Sequence, residues 1–256
     1  LDQDPEAVAA ARERFGADER FAIWRANFAD IDRLPIPDAD RFDGVLMDLG
    51  VSSPQLDQPG RGFSFRADGP LDMRMDTTRG ETAAEYLRRV SERELKRILK
   101  VYGEERYAGR VASAISRAAR RGALQTTAQL ADVVRSAIPG RPGEKDKATR
   151  SFQAIRIAVN REMEALATGL EKMVQRLDKG ARLVAITFHS LEDRLVKQAF
   201  RRLSSPAPLP RKLPVPAADF KPSFQVVGKP LKPSAEEISA NPRARSATLR
   251  VLEKLA

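Results

Sequence analysis

Three groups of residues in this 256-residue chain have types and spacings that can carry chemistry. The first is Asp2, followed by Asp4-Pro5-Glu6 and by apolar residues at Val8, Ala11 and Phe15, a spacing that predicts a helix. An acid between a strand and such a helix in a doubly wound fold is suited to accept two hydrogen bonds from a ribose diol. A plainer reading is an acid at the positive end of the helix dipole, which Asp4 already provides. The second group is Asp48-Leu49-Gly50-Val51-Ser52-Ser53-Pro54-Gln55. Gly50 permits close backbone approach or a positive φ, the serines offer acceptors, and Pro54 frees the preceding carbonyl from helical pairing. Such a loop can hold an exocyclic amine by accepting its two N–H bonds; an ordinary polar strand-to-helix turn fits equally well. The third is His189, the single histidine, in Phe188-His189-Ser190. It titrates near neutrality and suits a proton shuttle, although a hydrogen-bonded structural role is the commoner use and the one expected.

The elements that must position these residues alternate. Phe21-Ala22-Ile23-Trp24 predicts a short strand, and Phe42 to Gly50 a stronger one ending in an acid and a glycine. This rhythm points to a parallel sheet covered by helices, where ligands bind beyond the C-terminal strand ends. Residues 51–80 are rich in glycine and carry Phe63 and Phe65; a loop of that length is expected to have a use. From Thr82 to Pro139 the period is helical, with capping signals at Thr82/Glu85, Ser91/Glu94 and Thr126/Gln129. Gly140 to Lys147 reads as a linker, and Phe152 to Leu177 as one long amphipathic helix stopped by Gly180. Arg182 to Phe188 is the best strand in the chain, with Ser190 and Asp193 capping the next helix. The proline-rich stretch from Ser204 to Pro222 predicts an extended excursion, and the runs 224–227 and 247–252 an antiparallel pair at the sheet edge. The expected organisation is an α/β domain over residues 1–81 and 143–256, interrupted by an all-helical insertion at 82–142.

Apolar residues make up 42% of the chain and charged residues 31%, a globular composition, and no apolar run approaches the ~20 residues of a membrane span. The absence of cysteine excludes disulfides, thiolate nucleophiles and cysteine-based metal sites, and makes the cytoplasm the expected location. With one histidine and no carboxylate cluster of recognised spacing, no metal is expected. No P-loop, no G-x-S-x-G elbow and no Gly-rich nucleotide loop before Asp2 is present. Forty-five basic against 35 acidic residues leave a net charge of +10, which favours a polyanionic partner. Residues 201–256 hold 11 of the basic and 4 of the acidic side chains, so the tail carries most of that excess. A second basic stretch, Lys96 to Arg121, interleaves Tyr102 and Tyr107 and suits a phosphate-facing surface, although core tyrosines on ordinary solvated helices are the commoner arrangement and the one expected. The chain begins at Leu1 without a signal-peptide pattern and is expected to be cut off at its N-terminus.

Several motifs go further than composition. Asp48 to Asp57, Arg61-Gly62-Phe63-Ser64-Phe65, Gly69 to Asp76, Tyr102-Gly103-Glu104-Glu105-Arg106, Thr149 to Ile157, Phe188 to Arg194 and Asn241 to Ser246 occur in one order. In that order they closely resemble the bacterial 16S ribosomal RNA cytosine-N4 methyltransferases, the RsmH or MraW family, without its N-terminal segment. The resemblance implies a class I S-adenosylmethionine-dependent methyltransferase, Rossmann-like with a helical insertion, acting on 16S ribosomal RNA in the small ribosomal subunit, without membrane attachment and with a homodimer as an option. By motif it implies Asp2, Phe28, Asp48 and Gln55 as cofactor-binding residues. It places Ser52, Ser53 and Pro54 where related amino-methyltransferases grip the target amine, and either that turn or Asp48 is expected to supply the acceptors for catalysis. Gln55 stands in the place of those enzymes' aromatic residue, which leaves Phe63 or Phe65 to stack on the flipped cytosine. The competing readings are a non-catalytic RNA-binding fragment and a methyltransferase for another nucleobase or a protein amine.

Overall fold

The computed structural model describes residues 1–36, 41–140, 146–205 and 222–255. The chain forms two compact units, one from Leu1–Ala26 and Val51–Glu162, the other from Asn27–Gly50 and Met163–Ala256.

The first unit is helical: α1 (Pro5–Phe15), α2 (Ser53–Asp57), α3 (Ala83–Arg89), α4 (Glu92–Val101), α5 (Ala108–Arg120), α6 (Thr127–Ala137) and α7 (Thr149–Asn160). Local chemistry sets the helix starts. Thr82, Ser91 and Thr126 each accept from the backbone N–H three residues on, and Glu85 and Gln129 return the bond to complete capping boxes. Along α5 the buried side chains Val111, Ala112, Ile115 and Ala119 recur at steps of three and four, and their small size lets neighbouring helices approach closely. They join Leu87, Leu95, Ile98 and Ile155 in one core. The stretch 59–80 is part of that core, with Phe63, Leu71 and Met73 buried.

The second unit holds a four-stranded sheet of β1 (Phe42–Asp48), β2 (Leu177–Thr187), β3 (Phe224–Val226) and β4 (Thr248–Lys254), in the order β1-β2-β4-β3. β1 and β2 are parallel, with Asp48 opposite Ile186. β4 is antiparallel to both β2 and β3, as the two late β-like runs predict. Helices α8 (Glu162–Gln175) and α9 (Ser190–Ser204) supply Leu166, Leu170, Val196 and Phe200 to a core with Met47, Leu183 and Leu252. A short α10 (Ala235–Ala240) precedes β4.

Four sequence expectations are corrected. Phe21–Trp24 is not a strand: among the described residues its pairing is limited to one parallel bridge, Asp2 to Arg25, with two backbone hydrogen bonds. The long helix from Phe152 is two helices, because Arg161 takes a left-handed conformation at φ 51° and breaks the hydrogen-bond ladder. Gly180, expected to end that helix, lies inside β2 at φ 80°. The cap of α9 is His189, not Ser190; Asp193 instead pairs with Arg250 of β4 at 2.7 and 2.9 Å. Most of the linker (141–145) and of the proline-rich excursion (206–221) lies outside the described residues. Among the described residues no helix is long and apolar enough to cross a membrane.

Candidate active site

In the second unit the parallel pair β1 and β2 presents its C-terminal ends. Pairing continues one residue past β1, where Leu49 N–H donates to the Ile186 carbonyl at 3.1 Å. Gly50 then turns the chain at φ 91°. A Cβ there would sit 3.6 Å from the Phe188 ring, an ordinary contact, so it is the positive φ and not lack of room that requires glycine. Asp48 is exposed and its carboxylate makes no hydrogen bond among the described residues. Partial burial first, then the negative charge of Glu192, push its pKa up.

His189 serves structure, as expected. Its Nδ1 accepts from the Glu192 N–H at 3.4 Å, while Glu192 Oε2 accepts from the N–H groups of Phe188 and His189 at 2.9 and 3.3 Å. The imidazole therefore starts α9 in place of a serine. Phe28 opens a 3₁₀ turn capped by Asn27 and packs half-buried on α8. A Cβ on Gly169 would meet the Phe28 ring at 2.4 Å, so glycine is what admits the ring to the helix surface.

In the first unit Asp2 is exposed and its Oδ1 accepts from the Asp4 N–H at 2.8 Å. Partial burial raises the Asp2 pKa; the Asp4 N–H bond opposes this and the Asp4 charge adds to it. Ser52, Ser53 and Pro54 are exposed at the start of α2. Ser52 caps that helix: its Oγ accepts from the Gln55 N–H at 3.4 Å, and Gln55 Oε1 accepts from the Ser52 N–H at 3.0 Å. Gln55 is itself 5% exposed, and its Nε2 donates to Asp4 Oδ2 at 2.8 Å. Its amide is thus engaged at both ends and joins the Ser52 turn to the start of α1.

Phe63 and Phe65 do not offer a stacking face for a base. Phe63 is 6% exposed within the core, and Phe65 packs edge-on against Phe152 at 4.7 Å with the Arg135 guanidinium 5.4 Å over its ring. Sequence reasoning passed over Arg61, a buried cation that touches Asp4 at 2.8 Å. In the sequence it stands only as the first residue of the Arg61-Gly62-Phe63-Ser64-Phe65 motif, with no role of its own assigned.

A helix-backed parallel strand pair, ending in an acid without a hydrogen-bond partner among the described residues and in a positive-φ glycine, is the ligand-binding end of a Rossmann-like sheet. An acid with spare acceptors and a backbone open to close approach suit the ribose and amino groups of S-adenosylmethionine, and the fold is that of a class I methyltransferase using this donor. The sequence profile of the MraW methylase family matches residues 1–255, and the chain belongs to that family. It is 50% identical over 263 residues to ribosomal RNA small subunit methyltransferase H of Nitrosomonas europaea, covering 100% of this chain and 82% of the relative. The protein of the same name from Stenotrophomonas maltophilia is 50% identical over 254 residues, covering 99% and 78%. That from Xanthomonas euvesicatoria is 50% identical over 255 residues, covering 100% and 75%.

Proposed function

We propose that this methyltransferase transfers a methyl group to the N4 amine of a cytidine in 16S ribosomal RNA of the small ribosomal subunit, in the cytoplasm. The observation that carries the reading is Asp48, a surface carboxylate that makes no hydrogen bond among the described residues, at the end of a parallel strand and four residues before Ser52-Ser53-Pro54. The names of the relatives supply the substrate class.

The N4 amine is a weak nucleophile because its lone pair is delocalised into the ring. Acceptors that draw its two N–H bonds out of the ring plane localise that lone pair, a role for Asp48 or for the Ser52-Ser53-Pro54 turn. Bound S-adenosylmethionine supplies the electrophilic methyl on a sulfonium. What this chain adds is alignment: Asp2 would hold the ribose hydroxyls and Phe28 would lie beside the adenine, while Gln55 holds Ser52 in place. The excess proton passes to water, so no residue is assigned as a dedicated base and no metal is assigned a role. The base is reached out of its stack, which costs least in an RNA loop. Residues 1–81 and 143–256 carry the transfer and 82–142 form the inserted helical domain.

That insertion supports an RNA substrate. Lys96, Lys100, Arg106, Arg110 and Arg120 on and around α4 and α5 are exposed and make no ion pair among the described residues. Lys96 lies across Gly109, where a Cβ would be 3.6 Å from its Cε, so the cations of the two helices are neighbours. Replacing Lys96, Arg106 and Arg110 together by glutamine is expected to lower the slope of log affinity against log salt for a 16S fragment by about 2, at roughly 0.7–0.9 per phosphate contact. S-adenosylhomocysteine affinity stays unchanged. An unaltered salt slope removes this surface from the reading.

The function itself is tested by incubating undermethylated small subunits with enzyme and donor and analysing nucleosides by mass. N4-methylcytidine is the expected product. Label on another base or on protein selects the alternative methyltransferase reading. Failure to bind S-adenosylhomocysteine in calorimetry, with RNA binding intact, selects the non-catalytic one.

A further inference from the structure

The residues proposed to meet donor and amine in the first unit, Asp2 and Ser52, are fifty positions apart in sequence, and one buried arginine sits behind both. Asp4 links them. Its N–H donates to Asp2 Oδ1 at 2.8 Å, its Oδ1 accepts from the Glu6 N–H at 3.0 Å as the cap of α1, and its Oδ2 accepts from Gln55 Nε2 at 2.8 Å. Gln55 in turn accepts from the Ser52 N–H at 3.0 Å. Opposite Asp4 Oδ2 lies Arg61 Nη1 at 2.8 Å, and Arg61 Nη2 donates to the carbonyls of Arg74 and Met75 at 3.2 and 3.1 Å. Asp4, Gln55 and Arg61 are 3%, 5% and 6% exposed, so solvent screens none of these contacts.

We infer that Arg61 is a positioning residue for methyl transfer, acting through Asp4 and Gln55 on Asp2 and on the Ser52 turn. The inference rests on the proposed roles of those two places. A buried ion pair is a poor way to add stability, since apolar residues of similar volume do as well or better. This one also leaves Arg61 Nε buried without a partner, a further cost. What the fork provides is direction: one nitrogen fixed by two carbonyls of the 74–75 loop, the other aimed at a single carboxylate oxygen. The loop that aims it is tied across its base, where the Arg61 carbonyl accepts from the Met73 N–H at 3.0 Å, and Gly62 at φ 72° makes the turn that brings the two together. A carboxylate held this way keeps α1, and Asp2 ahead of it, in register with the start of α2. Glu6, 3.5 Å from the same guanidinium and mostly exposed, lies at the edge of the arrangement.

Donor affinity, read by calorimetric titration with S-adenosylhomocysteine, tests this on the intact chain. Arg61→Lys keeps the charge and loses the fork. It is expected to weaken binding and kcat by about tenfold or more, as small misplacements of aligned groups do, with KM for RNA unchanged. In a cycle with Asp2→Asn, the double variant is expected to bind no worse than the weaker single, because both act on one contact. Multiplied losses, or wild-type affinity in folded Arg61→Lys while Asp2→Asn is impaired, overturn the positioning role alone. Wild-type affinity in Asp2→Asn overturns the proposed role of Asp2 and the inference with it. Should Arg61→Lys fail to fold, Asp4→Asn with Arg61→Met removes both charges together, strands no ion and keeps a capping side chain. Cooperative unfolding with affinity down about tenfold supports the inference, and wild-type affinity in that variant refutes it.

Discussion

Asp48→Asn is expected to lower kcat for methyl transfer at least a hundredfold, about 2.7 kcal/mol of transition-state stabilisation, while raising the urea midpoint of unfolding. The two effects have one origin. At the end of β1 the Asp48 carboxylate, though at the surface, is partly desolvated by its surroundings, faces the charge of Glu192 and has no hydrogen bond among the described residues to offset either, so its pKa is raised above the ordinary 3.8. The native state therefore holds this proton more tightly than the unfolded chain. Between the two pKa values, and above both, the ionised group disfavours folding, so stability from this site falls as pH rises through that window. Asparagine removes the charge and the penalty. It also removes the acceptor proposed to localise the amine lone pair, and replaces it at one position by a donor that repels an N–H. Urea melts at neutral pH and single-turnover methylation with saturating donor read the two effects separately. Full turnover in Asp48→Asn removes Asp48 from the amine-gripping role, and a lowered midpoint means that the carboxylate has a native partner.

How much of this was legible in the sequence depends on whether a signal was local. The capping residues Thr82, Ser91 and Thr126 were, because a cap depends on side chains within one helical turn. The strand before Gly50 was, since its acid and glycine mark where a parallel strand stops. The late strands β3 and β4 showed as apolar runs and were found as an antiparallel pair. What failed depended on the partner. Phe21–Trp24 has strand composition, yet among the described residues its pairing is limited to the one bridge from Asp2. The 3,4 spacing of apolar residues runs unbroken through the junction of α7 and α8, because Arg161 changes the backbone without disturbing the pattern around it. Nothing local separates an aromatic that stacks on a base from one that fills a core, so Phe63 and Phe65 were misjudged. The link from Asp4 through Gln55 to Ser52 spans 51 positions between its ends at Asp4 and Gln55. Such a contact is invisible until the chain is folded.

Gly62→Ala is expected to destabilise the helical unit by about 3 kcal/mol: roughly 1–2 for forcing a side chain into the left-handed region and 1–3 for overpacking. Its Cβ would lie 2.4 Å from the Pro70 carbonyl oxygen and 2.6 Å from the Asp72 nitrogen. Both neighbours are backbone, and neither is free to move. Leu71 N–H bonds to Gln125, Ala84 N–H to Leu71, Ala83 N–H to Asp72, and Met73 N–H to the Arg61 carbonyl. Relief would have to break one of these ladders or rotate Gly62, and rotation swings the Arg61 fork away from Asp4. Gly80 supplies the control, because it has a similar φ of 77° and nothing within 4 Å of its would-be Cβ. Gly80→Ala therefore carries the conformational cost without the clash. Urea denaturation of the two variants, with equal m-values, separates the terms: Gly62→Ala should lose about 2 kcal/mol more than Gly80→Ala, and should bind S-adenosylhomocysteine more weakly even at temperatures where it is fully folded. Equal losses in the two variants mean that the 70–73 backbone yields to a methyl group, and a backbone that yields does not hold Arg61 in a fixed direction.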